Sequence, residues 1–186
     1  MKRQEISYDD YKKEVLRIYR DMRREVYYYP LITIFLEGCI SNEEKLIPVY
    51  DNKRYSDSGT GIHNRTKYAD KNSLQDMIIV SSEYTYEHTT SPYVSVEIKM
   101  PSISFNEEEI LKYTPLEIVK QLNEQFRYCK YIIFTDCITW YFLKKGQGYE
   151  DKICLLDKLK WKQDNEIWDK LKSKVTEMIN NSKTDV

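Results

Sequence analysis

The chain has 186 residues, with 29 lysines and arginines against 30 aspartates and glutamates, a formal charge of -1. That length suits one domain with a real core, and the balance of charge excludes a global basic field, so any contact with nucleic acid must be local. No apolar run is long enough to span a membrane, and Met1-Lys2-Arg3-Gln4-Glu5 leads into no signal-peptide core, so the expected location is the cytoplasm, with no membrane partner. Cys39, Cys129, Cys137 and Cys154 are scattered without a Cys-x-x-Cys pair, and His63 and His88 stand apart. This pattern predicts reduced, mostly buried thiols and argues against a zinc or iron–sulfur site.

From Ser7 to about Val26 the pattern predicts a helix. Ser7 and Asp10 have the spacing of a capping box. Tyr11, Val15, Ile18, Tyr19, Met22 and Val26 form one apolar stripe, and Lys13, Arg17, Arg20 and Arg24 fall opposite. Those four cations read either as a solvated outer face or as a ridge that contacts phosphates. Pro30 should interrupt this helix, and Leu31 to Cys39 should resume one.

Lys45 to Tyr50 is a short strand candidate. Asp51 to Gln75 is long and polar, rich in Ser, Gly, Asn and Asp, so it reads as a functional or mobile loop. It carries Lys53, Arg54, His63, Arg65, Lys67 and Lys71, with Tyr55 and Tyr68 between them. Basic residues interleaved with aromatics suit a strand of nucleic acid, and a plain hairpin tip explains them as well.

Asp76 to Tyr86 and Pro92 to Met100 should form a hairpin through Glu87 to Ser91. In the second strand Val94, Val96, Ile98 and Met100 alternate with Ser95, Glu97 and Lys99. The first set suits a core. The second places a carboxylate and an ammonium side by side on the other face. Asp76 stands at the mouth of the apolar run Met77 to Val80, so pairing of the two strands would bring it close to Glu97. Two carboxylates with a lysine beside them suit a hard divalent cation and a polarised water. A half-exposed strand with a solvated Glu–Lys pair is the alternative, since such pairs are common and contribute little.

Thr114-Pro115-Leu116-Glu117 is a helix start, with an N-cap, a proline in the first turn and a glutamate at the third position. The helix should run to about Tyr128, with Leu116, Val119, Leu122 and Phe126 buried. Lys130 to Thr135 and Ile138 to Leu143 are nearly continuous apolar runs, as in a sheet covered on both faces. Lys144 to Glu150 reads as a turn-rich loop, and Lys152 to Leu156 as an added edge strand. Asp164 should cap a last helix that packs Ile167, Trp168, Leu171, Val175, Met178 and Ile179 on the core.

Asp76 followed by Glu97-Ile98-Lys99 resembles the signature of the PD-(D/E)XK nuclease superfamily. The order helix, three strands, helix, strand is similar too. The stretch from Tyr131 through Thr135-Asp136-Cys137 to Phe142 looks like the strand, Thr-Asp-Gly, strand segment of type I restriction R-subunit nuclease domains, with Cys137 where Gly is usual. The resemblance covers roughly Glu25 to Leu143. It implies an α/β fold with a restriction-endonuclease-like mixed sheet flanked by helices. One nuclease-like domain would span residues 1–186, with a core of about 8–143 and a C-terminal strand and helix over 151–180. It implies a metal-dependent nuclease, DNA favoured over RNA, in restriction or defence. The alternative is a non-cleaving nucleic-acid-binding or scaffold subunit that works with a protein partner or as a homodimer.

By the same resemblance, Asp76, Glu97 and the Ile98 carbonyl would hold Mg²⁺ or Mn²⁺, and Glu25 would assist, often through water. Lys99 would position or activate the attacking water. A Gln on the helix after the site reaches its edge in that family. That role is carried to Gln121, while Gln125 is expected to be a surface amide. The nucleic-acid contacts would come from Lys13, Arg17, Arg20, Arg24, Arg54, Arg65 and Lys67.

Overall fold

A computed structural model of the chain describes residues 5–22, 24–49, 75–85, 91–101, 122–123, 125–157 and 160–184. Helix α1 spans Tyr8–Asp21 and starts as the capping pattern predicts: the Ser7 hydroxyl accepts the Asp10 N–H at 3.1 Å and donates to the Asp10 carboxylate at 2.7 Å. It ends earlier than the stripe suggests. The chain leaves the helix at Met22, and Val26 sits in a 3-10 turn, Glu25–Tyr28, with 42% of its surface exposed. Helix α2, Tyr29–Glu37, follows directly. Pro30 lies inside its first turn and does not break it, because an N–H there has no helical acceptor to lose.

Six strands form one sheet in sequence order: β1 Glu44–Pro48, β2 Met77–Ser81, β3 Val94–Ile98, β4 Tyr131–Thr135, β5 Thr139–Lys144 and β6 Gly148–Cys154. The β3–β4 pair is parallel and the other pairs are antiparallel, so the sheet is mixed. A two-stranded sheet of β7 Leu156–Asp157 and β8 Lys160–Trp161 follows, then helix α3, Glu166–Thr184. Asp164 accepts the Glu166 N–H at 2.8 Å and starts α3 as expected. The described architecture is a mixed α/β fold.

The helices lie on one face of the sheet. Tyr11, Val15 and Ile18 of α1, Ile32, Phe35 and Leu36 of α2, and Trp168, Leu171 and Val175 of α3 share a core with Met77, Ile79, Val94, Val96, Ile98, Ile133, Trp140 and Phe142. Trp168 ties this layer together, with its ring centroid 4.8 to 5.3 Å from those of Phe35, Tyr11 and Tyr8. The opposite face buries Leu122 and Phe126 against Ile132, Phe134, Tyr141 and Leu143, and Val49 and Tyr84 against Ile78 and Val80. Coverage on both faces is why β4 and β5 read as continuous apolar runs.

Two further boundaries differ from the sequence expectation. Strand β3 ends at Ile98, and Met100 is 39% exposed instead of continuing the core face. The loop after β5 is a tight turn at Lys145–Gln147, with Gly146 at φ 81, and β6 starts at Gly148. The cap and first residues of the helix from Thr114, the loop 51–74 with Arg54, Arg65 and Lys67, and Gln121 lie outside the described residues.

Candidate active site

The hairpin expected of β2 and β3 is present, with Met77 opposite Val96 and Ile78 opposite Ser95. One step beyond the last ladder pair, Asp76 and Glu97 come side by side. The Asp76 backbone is fixed by both neighbours: its N–H donates to the Val96 carbonyl at 3.1 Å, and its carbonyl accepts the Val49 N–H at 2.8 Å. Lys99 follows β3, its N–H donating to the Thr135 carbonyl at 2.8 Å. The alternation predicted for β3 holds through Ile98. Val94, Val96 and Ile98 enter the helix-side core, and Ser95 and Glu97 meet Gln125 instead.

Each of the four carboxylate oxygens has a donor. Asp76 Oδ1 accepts the Tyr29 hydroxyl at 2.7 Å, and Oδ2 accepts the Ile98 N–H at 2.8 Å. Glu97 Oε1 is paired with the Lys99 ammonium, and Oε2 accepts Gln125 Nε2 at 2.8 Å. Gln125 Oε1 in turn accepts the Ser95 hydroxyl at 2.9 Å, and the Glu97 carboxylate, which only accepts, requires the Nε2 end of the amide. Glu25 completes the group. Its Oε1 lies 2.9 Å from the Tyr29 hydroxyl, and its Oε2 lies 3.9 Å from Lys99 Nζ.

Burial pushes the Asp76 carboxyl above its ordinary value, although the Ile98 N–H, the Tyr29 hydroxyl and Lys99 pull it back. Burial also raises Glu97, and the negative charge of Asp76 adds to it, against Lys99 and Gln125. Burial pulls the Lys99 ammonium down, but Glu97, Glu25 and Asp76 together outweigh it and leave it raised. Lys99 therefore stays charged at neutral pH, with part of its side chain open to solvent.

Gln125 is the main correction among the site residues. It is 3% exposed, where a surface amide was expected: it opens the 3-10 turn Gln125–Arg127, and its amide reaches Glu97 and Ser95 of β3. The sequence reading sets both residues on one helical stripe and gives the site role to Gln121, which lies outside the described residues. Tyr29 carries no sequence signal of its own and joins the site through tertiary contacts, whereas the alternation of β3 already sets Ser95 on the face of Glu97.

The basic ridge of α1 is exposed, as both of its readings require. Arg17 makes two bonds to Glu14, at 2.9 and 2.6 Å; Arg20 pairs with Asp21 at 2.8 Å; Lys13 lies 3.6 Å from Asp10. Arg24 is exposed just ahead of the 3-10 turn. The four cysteines are free thiols, with Cys129 and Cys137 buried.

Among the described residues, no three His, Cys, Asp or Glu side chains gather into a group that could hold a metal ion. Two carboxylates alone are still an ordinary protein contribution to a Mg²⁺ site, which waters and substrate phosphates complete. The donor set fits such an ion: its atoms are all oxygens, each keeps a second lone pair, and two buried like charges would be relieved by a cation. Among the described residues no helix is long and apolar enough to cross a membrane. No protein-family model, curated protein or solved structure matches this chain.

Proposed function

We propose that the chain is a metal-dependent nuclease of restriction-endonuclease-like fold, hydrolysing phosphodiester bonds in DNA in preference to RNA. The observation that carries this reading is the juxtaposition of Asp76 and Glu97 at adjoining strand ends, with Lys99 seated on Glu97. A solvated surface pair does not account for it, since Asp76 is 4% exposed and Glu97 9%. The element order around the site, helices ahead of three strands and a further segment ahead of β4, agrees with the resemblance on which the reading rests.

Asp76 and Glu97 would hold Mg²⁺ or Mn²⁺, with the Ile98 carbonyl beside them and Glu25 assisting. A bound divalent ion supplies a water of lowered pKa and positive charge against the phosphate. The rest falls to the chain itself. Lys99, charged at neutral pH, offsets phosphate charge and orients the attacking water. Gln125, held by Ser95, keeps Glu97 in one orientation. The exposed cations Lys13, Arg17 and Arg20 would contact the backbone of the nucleic acid by exchanging their acid partners for phosphates, and Arg24 would join them.

The test is cleavage of plasmid, linear duplex, single-stranded DNA and RNA across a titration of Mg²⁺ and Mn²⁺. Cutting that stops with EDTA supports the reading; survival of every substrate sinks it. A second reading draws on the full pairing of all four carboxylate oxygens with protein donors. Such a centre suits a nuclease-fold module that binds nucleic acid, or serves as a scaffold subunit, without cutting. Nucleic-acid binding without cleavage would favour it.

A further inference from the structure

Tyr29 occupies a place that packing alone does not explain. It opens α2, its ring is buried in the helix-side core, and its hydroxyl leaves that core to reach two carboxylates from different parts of the chain. One is Asp76 Oδ1 at 2.7 Å, across 47 residues of sequence; the other is Glu25 Oε1 at 2.9 Å, one helical turn back; the phenol has one proton, so the two carboxylates share it. The Asp76 carboxylate has two oxygens and two donors, and the other donor, the Ile98 N–H, belongs to the rigid end of β3. Removing the hydroxyl would leave Asp76 free to turn about that single bond. It would also release Glu25, whose side chain is more than a third exposed and is otherwise tied to the site by the 3.9 Å contact with Lys99.

We propose that Tyr29 is a positioning residue of the carboxylate centre: its hydroxyl fixes the rotation of Asp76 and couples Glu25 to it. This rests on the metal-dependent reading above. Outer hydrogen bonds of this kind orient the carboxylates that hold a metal, and their loss typically weakens affinity about 10- to 100-fold. Glu25 then acts on the centre through Tyr29, so the effects of the two residues should not add.

The experiment measures Mn²⁺ affinity by the electron paramagnetic resonance signal of the free ion, for the parent, Tyr29→Phe, Glu25→Gln and the double variant. Melting curves in EDTA and cleavage at rising Mn²⁺ accompany it. Tyr29→Phe keeps the buried ring and loses one atom. It should weaken Mn²⁺ binding about tenfold or more, with cleavage largely recovered at saturating Mn²⁺. Glu25→Gln should weaken binding less and change nothing further in the Tyr29→Phe background. A hydroxyl that serves the fold alone predicts a lower melting temperature with unchanged Mn²⁺ affinity, and that result overturns the proposal while leaving the metal reading intact. Absence of Mn²⁺ binding by the parent overturns both. Should Tyr29→Phe fail to fold, Glu25→Gln decides, since unchanged affinity there removes the coupled pair.

Discussion

Two of the strand ends that bury acids treat the charge differently. At the junction of β2 and β3, Asp76 and Glu97 lie together, with a lysine on one and a tyrosine on the other, and Lys99 and Glu25 are partly open to solvent. At the turn between β4 and β5, Asp136 is alone and wholly enclosed. Its Oδ1 accepts the N–H groups of Ile138 and Thr139, at 3.1 and 2.6 Å, and its Oδ2 is buried without a hydrogen bond. The Asp136 turn is a folding device: the carboxylate replaces a backbone acceptor while Cys137 takes φ 71, a left-handed conformation usually left to glycine. Burial of an acid therefore does not mark a function. The difference lies in clustered like charges, a cation paired with one of them and a route to solvent, which the first place combines; Asp136 is a single carboxylate, closed to solvent, on which Lys152 acts only through space.

The largest effect that could break this contrast belongs to Lys99→Ala. If the β2–β3 centre is catalytic, cleavage should fall on the order of 100-fold or more, the scale of losing one charge-stabilising donor. Mn²⁺ binding measured by calorimetry should stay nearly intact, because the lysine serves water and phosphate. Unchanged cleavage would return Lys99 to the status of a surface partner for Glu97.

The Asp136 turn is tested through pH. Burial pushes its carboxyl up to about 6, against the pull of the Thr139 and Ile138 N–H groups. A carboxyl with a folded value above its unfolded one is penalised as pH rises past the unfolded value, and the penalty is complete above the folded value. Here the loss should develop between about pH 4 and pH 6 and amount to about 3 kcal/mol. Asp136→Asn keeps an oxygen for the two N–H groups and removes the charge. Its stability relative to the parent, from urea melts at pH 4, 6 and 8, should climb through that window and then level off. Asp136→Ala orphans two buried donors and should lose about 2 to 6 kcal/mol at pH 4, at 1 to 3 for each. A flat difference for Asp136→Asn would show that the turn hides no charge, and the contrast between the two strand ends would fail.

Sequence showed much of this frame, for identifiable reasons. The alternation of Val94 to Ile98 fixed the faces of β3, and the acid ahead of Met77 placed Asp76 beside Glu97 once those strands paired. Caps at Ser7 and Asp164 and the doubly covered strands β4 and β5 were equally local signals. What sequence hid depends on tertiary approach. The sequence pattern set Gln121 and Gln125 on one expected helical stripe, whereas Gln125 is buried where its 3-10 turn meets β3. Tyr29 is one of three consecutive tyrosines, Tyr27 to Tyr29, and nothing local tells the one that reaches Asp76 from the one left 43% exposed at Tyr27.

The smallest expected effect is also the one whose sign says most. Asp76→Asn in EDTA removes one of two mutually repelling buried carboxylates, which stabilises the fold. It also removes one acceptor: a single amide oxygen can serve the Tyr29 hydroxyl or the Ile98 N–H, not both, and the lost bond costs about 1 kcal/mol. The two terms nearly cancel, so at neutral pH the variant should melt within about 1 kcal/mol of the parent, and no lower if repulsion is the greater. The pH dependence separates them. Asp76 and Glu97 are both raised, so the parent is penalised as pH climbs above the ordinary carboxylate value and through the raised ones. The variant escapes most of that penalty, so its stability relative to the parent should rise with pH. An acid that merely caps a strand has a depressed value, and the same difference would fall with pH. Millimolar Mn²⁺ adds a second axis. The parent should gain about 3 kcal/mol if the ion is present at 100 times its dissociation constant, and the variant should lose most of that gain. A difference that falls with pH, joined to melting curves that ignore Mn²⁺, would make Asp76 a structural partner of Ile98 and Tyr29 and set the β2–β3 centre beside the Asp136 turn as a second folding device.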